Sequence, residues 1–303
     1  MGAVKKLQPD LFVLDSPLYG KVHGERSVME FPFFGLSKKA MKQRIVFEQG
    51  NVKIEVRPSD TGLATIYDKE VLLYIASLML AKIERGEDVE QEFTFTAHDF
   101  LRVTGASSSA RSYVRLLEAL TRLQGTQVMT NIKAGGTGER SWFSWLEKAQ
   151  GDYVVGPNGE DRLKLIRVRL CDWLYRAILK ERRVLCYHRD YFKLGPIERR
   201  LYEVARSHCE TSGHFNIGLE ELRLKVGCTD NIAKFKFTLK RIVESDMLPE
   251  YRVCFTEMVE PKDPGERSKG RQKVHTLVAF SARGPGDFTL PGRSSRILEL
   301  VAA

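Results

Sequence analysis

The sequence predicts an α+β protein made of two tandem winged-helix domains, each a helix-turn-helix followed by a β-hairpin wing. Three observations predict this fold class. The 303 residues exceed the size of a usual single domain, so two separate cores are expected. A pattern of strand, short helix, glycine turn and long helix occurs twice, at an offset of 122 residues. Two strand-like runs follow each copy of the pattern.

We divide the chain into an N-terminal arm, two domains and a C-terminal tail. The glycine-rich stretch 149–162 is the expected connection between the domains, and a hairpin tip within one domain fits its composition almost as well. The predicted boundaries are residues 1–25 for the arm, 26–155 for the first winged-helix domain, 156–283 for the second and 284–303 for the tail.

Each copy of the pattern begins with a strand and a short helix. In the first copy residues 93–96 alternate between apolar and polar side chains, which is typical of a strand. Residues 98–104 and 220–226 are each about two helical turns long. Gly105 and Gly227 follow, and glycine closes a helix at low cost because it adopts the left-handed backbone conformation.

The second helix of each copy is long and amphipathic. Ser107 and Thr229 are predicted to cap these helices at their N-termini. Apolar residues at spacings of three and four predict one buried stripe on each helix, with Phe237 falling outside it. The stripe comprises Tyr113, Leu116, Leu117, Leu120 and Leu123 in the first copy, and Phe235, Leu239, Ile242 and Val243 in the second.

The strand-like runs after each copy are predicted to form the wings. In the first domain residues 126–132 and 141–146 enclose a glycine-rich loop that carries Lys133 and Arg140. In the second domain residues 251–258 and 273–282 enclose a long basic loop.

The overall charge favours a polyanionic partner. The chain carries 48 Lys and Arg against 39 Asp and Glu, a formal net charge of +9. Charge alone leaves nucleic acid and an acidic membrane surface open, but the paired helices favour DNA, with one helix in the major groove. The predicted DNA-binding residues are Ser108, Ser109, Arg111, Ser112, Arg115, Lys133, Arg140, Asn231, Lys234, Lys236, Lys240, Arg241, Arg267, Lys269 and Arg271.

No catalytic, metal or cofactor site is predicted. The sequence lacks the phosphate-binding pattern G-x-x-x-x-G-K-[ST], and its six histidines are scattered singly, which disfavours ATPase and metal-dependent nicking activity. The five cysteines show no paired spacing and are predicted to be reduced structural thiols. No apolar stretch is long enough to span a membrane and the N-terminus lacks the apolar core of a signal peptide, so a cytoplasmic protein is expected.

The sequence resembles the bacterial plasmid replication initiators called replication initiator protein A. The resemblance spans most of the chain, and the order and spacing of the shared segments are specific to this family. It is carried by Met29-Glu30, Pro32, Phe34, Leu36-Ser37-Lys38, Pro58-Ser59, residues 62–70, residues 117–120, Arg122-Leu123, Gly125-Thr126, residues 130–132, residues 200–203, Ala205-Arg206, His208-Cys209, Leu248-Pro249 and Tyr251.

The lack of ATPase and nuclease motifs predicts a non-enzymatic protein. The resemblance implies one that binds repeated origin sites, or iterons, in double-stranded DNA. It further implies origin opening or recruitment of host replication proteins such as a helicase or initiator, and a monomer–dimer equilibrium with the first domain as the dimer surface. Three alternatives stay open: a winged-helix transcriptional regulator, a nicking or priming enzyme, and a protein-binding module.

Overall fold

The computed structural model describes residues 14–134, 136, 140–155, 159, 161–259 and 274–284. Within this part of the chain the residues fall into two compact units. The first unit is formed by the residues up to Arg26 and by Phe33–Tyr187. The second is formed by Ser27–Pro32 and by the residues from His188 onward. A short N-terminal segment therefore belongs to the same unit as the C-terminal third of the chain.

The first unit contains a two-stranded, a four-stranded and a three-stranded sheet, with the apolar helix α2 buried on most of its surface. Helix α1 (Arg26–Glu30) belongs to the second unit except for its first residue. The helices of the first unit are α2 (Lys69–Glu84), α3 (Ala97–Thr104), α4 (Ala110–Gly125) and α5 (Asp172–Arg176), which runs into a π-helical turn (Ala177–Glu181). Its strands are β1 (His23–Glu25), β2 (Ile45–Gln49), β3 (Val52–Arg57), β4 (Glu92–Phe95), β5 (Gln127–Thr130), β6 (Ser141–Ser144), β7 (Leu146–Val155), β8 (Asp161–Leu170) and β9 (Val184–Cys186).

Among its described residues the second unit has one three-stranded sheet and three α-helices of eight residues or more. The long helix α6 lies against this sheet, and Leu201, Val204 and Ala205 on α6 are fully buried. The elements are a 3-10 helix (Arg189–Lys193), α6 (Pro196–Ser212), β10 (His214–Gly218), α7 (Leu219–Val226), α8 (Ile232–Ser245), β11 (Tyr251–Val259) and β12 (Val274–Ala282).

The duplicated pattern is present at the predicted offset. The strands β4 and β10, the short helices α3 and α7, and the long helices α4 and α8 all begin 122 residues apart. The two sheets also have the same order, β4-β8-β7 in the first unit and β10-β12-β11 in the second. Each repeat is therefore a strand, two helices and an antiparallel hairpin whose second strand pairs with the first strand of the repeat.

The hairpin of the first repeat is not the one predicted from the sequence. Residues 126–132 and 141–146 do contribute the paired strands β5 and β6, but these join β2 and β3 in the order β2-β3-β5-β6. The hairpin equivalent to β11 and β12 is β7 with β8, which pairs from Leu146 with Leu170 to Val155 with Asp161. The predicted boundary between residues 155 and 156 thus falls at the tip of this hairpin, and the first unit continues to Tyr187.

The long helices also begin two residues later than predicted. Ser109, not Ser107, caps α4 and accepts a hydrogen bond from the Ser112 backbone N–H. Asn231, not Thr229, caps α8 and accepts from the Lys234 backbone N–H. Serine, threonine and asparagine all serve as caps, so residue type alone did not distinguish between neighbouring candidates.

The two glycines that end the short helices have the predicted left-handed conformation, with φ of 72° at Gly105 and 80° at Gly227. A β-carbon added at Gly105 meets open space, whereas one at Gly227 lies 2.8 Å from Cβ of Pro32. We expect Gly105→Ala to cost about 1–2 kcal/mol of unfolding free energy from backbone strain. Gly227→Ala adds a steric clash and is expected to cost about 2–5 kcal/mol.

Urea unfolding of the two alanine variants measures this difference. Equal losses of stability in the two variants would contradict the close packing of Gly227 against Pro32.

Candidate nucleic-acid interface

The N-terminus of α4 is built from a run of serines. Ser109 Oγ lies 3.1 Å from Ser112 Oγ, and Ser107 Oγ lies 3.3 Å from Ser109 Oγ. Ser108 and Ser109 are exposed, but Ser112 is 8% exposed and its hydroxyl belongs to this serine cluster. The low exposure of Ser112 therefore disfavours the predicted contact with DNA, because little of its side chain reaches the surface. Exposed hydroxyls and backbone N–H groups at a helix N-terminus are suited to phosphate.

Two arginines lie on the exposed side of α4. Arg111 and Arg115 are both exposed, while Leu116, Leu120 and Leu123 form the buried stripe. Their guanidinium groups thus extend from the face of α4 that is turned away from the core.

Arg122, in the last turn of the same helix, has a structural role instead. Its Nε and Nη2 donate to the buried Asp68 carboxylate, each over 2.8 Å. These hydrogen bonds to the Asp68 carboxylate raise the pKa of the Arg122 guanidinium, and the ion pair holds α4 beside the N-terminus of α2.

Helix α8 presents a larger cationic surface. Lys234, Lys240 and Arg241 are exposed, and Lys236 is half-buried with Nζ 3.3 Å from Oγ1 of Thr276 on β12. Lys234 Nζ lies 2.8 Å from the Asp230 carboxylate, and this hydrogen bond raises the Lys234 pKa. Asn231 is exposed, but its side-chain oxygen is engaged in capping, so its amide group has only its N–H donors left for a ligand.

The hairpin of β7 and β8 carries basic residues that sequence analysis missed. Arg162 and Lys164 are exposed and lie near its tip, on the part of β8 that extends beyond the buried Ile166. Farther from the tip, Arg167 and Arg169 pair with Asp152 and Glu147 on the facing strand. The signal was present in the sequence: residues 162–170 nearly alternate between charged and apolar side chains, which is typical of a strand.

The remaining predicted contacts fall elsewhere. Lys133 and Arg140 are exposed on the connection between β5 and β6, which belongs to the separate four-stranded sheet and not to the hairpin of the repeat. Arg267, Lys269 and Arg271 lie outside the described residues.

Within the described ranges no three His, Cys, Asp or Glu side chains come together as a metal site. The His208 imidazole stacks on Phe215 with ring centroids 4.2 Å apart. The five cysteines form no disulfide with one another, and burial raises the pKa of Cys171 to about 12 and that of Cys209 to about 11. None of the helices that the structure describes is long and apolar enough to cross a membrane.

Comparison with known families decides what class of protein carries these repeats. The model of the family described as replication initiator protein A matches residues 23–253. The chain belongs to the replication initiator protein A family. The match reaches from β1 in the first unit to the start of β11 in the second, so it covers the first repeat and the strand and helices of the second repeat.

A curated relative agrees with this membership. A putative replication protein of Wigglesworthia glossinidia brevipalpis is 35% identical over an alignment of 260 residues. The alignment covers 83% of this initiator and 90% of the relative.

Two solved structures resemble the fold. The crystal structure of domains 2 and 3 of RctB has a TM-score of 0.56 at 15% identity, and the similarity covers 84% of this initiator and 96% of the RctB chain. The crystal structure of the Pi initiator protein in complex with iteron DNA has a TM-score of 0.48 at 15% identity, with 73% and 92% covered. The RctB similarity extends over most of both chains and shows that a two-domain fold of this kind is shared at low identity.

Proposed function

We propose that this replication initiator binds repeated sites at a plasmid origin through two winged helices, one in each unit. In this proposal α4 and α8 enter the major groove, α3 and α7 cross the backbone, and the hairpins serve as wings. The observation that carries the proposal is the duplicated arrangement itself. Each repeat has a strand, two helices and a hairpin with the same sheet order, and each long helix exposes basic side chains opposite its buried stripe.

The proposed contacts follow from exposure in each repeat. Arg side chains suit bidentate contact with guanine, whereas Ser and Lys side chains more often hold phosphates. Ser112, Lys133 and Arg140 leave the predicted set, and Arg162 and Lys164 replace the last two as residues of the first wing. The proposed contacts are Ser108, Ser109, Arg111, Arg115, Arg162, Lys164, Asn231, Lys234, Lys236, Lys240 and Arg241.

Footprinting on the DNA that adjoins the gene tests the proposal. Two linked winged helices that occupy successive major grooves are expected to protect about 20 base pairs at each repeat.

A replication assay distinguishes an initiator from a transcriptional regulator. An initiator is expected to support replication of a plasmid that lacks its own initiator gene, whereas a regulator would bind a promoter without supporting replication.

We further propose that this initiator acts without strand cleavage, in the cytoplasm, and recruits a host helicase or initiator. Incubation of purified protein with supercoiled origin DNA and magnesium is expected to leave the DNA supercoiled. A nicked or relaxed product would contradict a non-enzymatic role.

We also propose a monomer–dimer equilibrium. Sedimentation of the protein with and without DNA that carries a single origin repeat measures this equilibrium.

The first wing gives a separate prediction. Arg162→Gln combined with Lys164→Gln removes two proposed phosphate contacts, so the slope of log affinity against log salt is expected to become less negative by about 2. Salt titrations of binding to one origin repeat measure the slope. Lys133→Gln combined with Arg140→Gln is the matched control on the hairpin of β5 and β6. A larger change of the salt slope in this control would indicate that β5 and β6, not β7 and β8, form the wing that contacts DNA.

A further inference from the structure

Phe237 is an exposed aromatic residue at the middle of α8. Its side chain is 63% exposed, whereas Phe235, two positions earlier, is fully buried. Two residues along an α-helix correspond to a rotation of about 200°, so Phe237 lies almost opposite Phe235. The phenyl ring therefore projects from the centre of the helix face that is farthest from the core.

Cationic residues flank Phe237 on both sides of this face. By the helical rotation of about 100° per residue, Lys236 and Lys240 lie on one side of Phe237, and Lys234 and Arg241 on the other. Ala233 lies one turn earlier on the same face and is also exposed. Glu244, which is exposed about two turns after Phe237, lies near the same line. Between Ala233 and Arg241 the exposed face of α8 is thus an apolar line of Ala233 and Phe237 between two rows of positive charge.

A single exposed apolar side chain is common and by itself indicates nothing. This one differs because it stands at the middle of a basic helix face. A helix in the major groove has phosphates on both sides and base edges beneath its centre, and thymine presents a 5-methyl group there. The two basic rows of α8 match the phosphates, and the apolar line matches methyl groups.

We propose that Phe237 contacts the 5-methyl group of thymine in the major groove and so determines part of the sequence preference of the second unit. This inference rests on the proposed function, because it requires α8 to enter DNA. Methyl contacts need no hydrogen-bond geometry, so a phenyl ring selects thymine over cytosine and over uracil by apolar contact alone.

The same position of the first repeat carries a different side chain. At the offset of 122 residues Phe237 corresponds to Arg115, which is exposed on α4. Arginine prefers the acceptor pair of guanine, whereas phenylalanine prefers the thymine methyl group. The two units therefore recognise different bases at the equivalent point, and the site of one chain is asymmetric.

Single replacement of thymine by uracil tests the proposal, because only the methyl group is removed. The probe is a duplex enriched from a random library by the wild-type chain, with each thymine replaced in turn. At one or two thymines the wild-type chain is expected to lose affinity about fourfold, the value of one buried methyl group. Phe237→Ala is expected to bind more weakly and to lose nothing further at those thymines. Phe237→Leu, which keeps an apolar side chain, is expected to retain most of the sensitivity.

Met247→Ala is the matched control. Met247 is 40% exposed in the same unit and lies beyond the C-terminus of α8, so this variant is expected to behave as the wild type. Equal sensitivity to uracil in wild type and Phe237→Ala would overturn the proposal, as would a wild-type chain that is insensitive at every thymine. A wild-type chain that enriches no sequence would overturn the proposed function, and this inference with it.

Discussion

Neutralising four cationic side chains on the long helices is expected to lower affinity for an origin repeat about a thousandfold or more at 0.1 M salt. Each phosphate contact contributes about 0.9 to the slope of log affinity against log salt, so Lys234 and Lys240 account for about two decades at this concentration. Each bidentate contact of Arg111 or Arg115 with guanine adds about 1–3 kcal/mol, or about one to two decades. The slope itself is expected to change from about −7 to about −5, because only the two lysines contact phosphates and the wild type is taken to make about eight such contacts. The substitutions are Arg111→Gln, Arg115→Gln, Lys234→Gln and Lys240→Gln.

The control for this variant removes the same net charge from elsewhere on the surface. Its four exposed lysines lie outside both repeats, so only the long-range attraction to DNA is weakened. Both variants are titrated with salt on the same labelled repeat. An unchanged slope in the first variant, or an equal loss of affinity in the control, would contradict DNA binding through α4 and α8. The control substitutions are Lys21→Gln, Lys39→Gln, Lys53→Gln and Lys180→Gln.

Glu203→Gln is expected to destabilise the second unit by about 3–5 kcal/mol, because it leaves a buried charge without its partner. Arg200 and Glu203 on α6 are 2% and 0% exposed, and Arg200 Nη1 lies 2.5 Å from the Glu203 carboxylate. The Tyr191 hydroxyl donates to the other carboxylate oxygen over 2.7 Å.

The same arginine connects distant parts of the chain within this unit. Arg200 donates to the backbone oxygen of Met29 over 2.8 Å and to that of Lys225 over 3.1 Å. It therefore links α6, the end of α7 and the N-terminal segment Ser27–Pro32. Loss of the Glu203 charge is expected to loosen all three.

Glu220→Gln provides the matched control. Glu220 also pairs with an arginine three residues away, Arg223 on α7, but its carboxylate is 57% exposed. An exposed pair is worth about 0–1 kcal/mol, so this substitution is expected to change stability by no more than that amount.

Two probes separate the units in this experiment. All three tryptophans lie in the first unit, so tryptophan fluorescence in urea reports on that unit. Hydrogen exchange of residues 196–212 reports on α6 in the second. Glu203→Gln is expected to accelerate exchange in α6 and to leave the fluorescence transition unchanged. Equal exchange in the Glu203→Gln and Glu220→Gln variants would contradict the importance of the buried pair.

The spacing of apolar residues in the sequence was sufficient to predict the long helices of the repeats and the faces that they bury. The spacing of Leu116, Leu120 and Leu123, and of Phe235, Leu239 and Ile242, correctly predicted buried stripes, because a helix brings residues three and four apart onto one face. The sequence also placed Phe237 outside the buried stripe of its helix, and in the structure its side chain is exposed.

The role of Ser112 could not be decided from the sequence. A serine in the first turn of a helix can either contact a phosphate or hydrogen-bond to the residues that cap the helix. In the structure the Ser112 hydroxyl lies in the serine cluster and the residue is 8% exposed, which favours the structural role. Exposure depends on the surrounding chain, so residue type alone did not reveal it.

What the sequence by itself determined is therefore the duplication, the helices within it and their basic faces, since these follow from residues close together in the chain. Only the tertiary structure decided that β7 and β8 complete the first repeat, and that Ser27–Pro32 packs with the second unit. Both depend on contacts between distant residues, such as Phe93 with Val168 and Arg200 with Met29. Several segments of this chain can form strands, and the pairing between them is chosen by the packing of the whole unit.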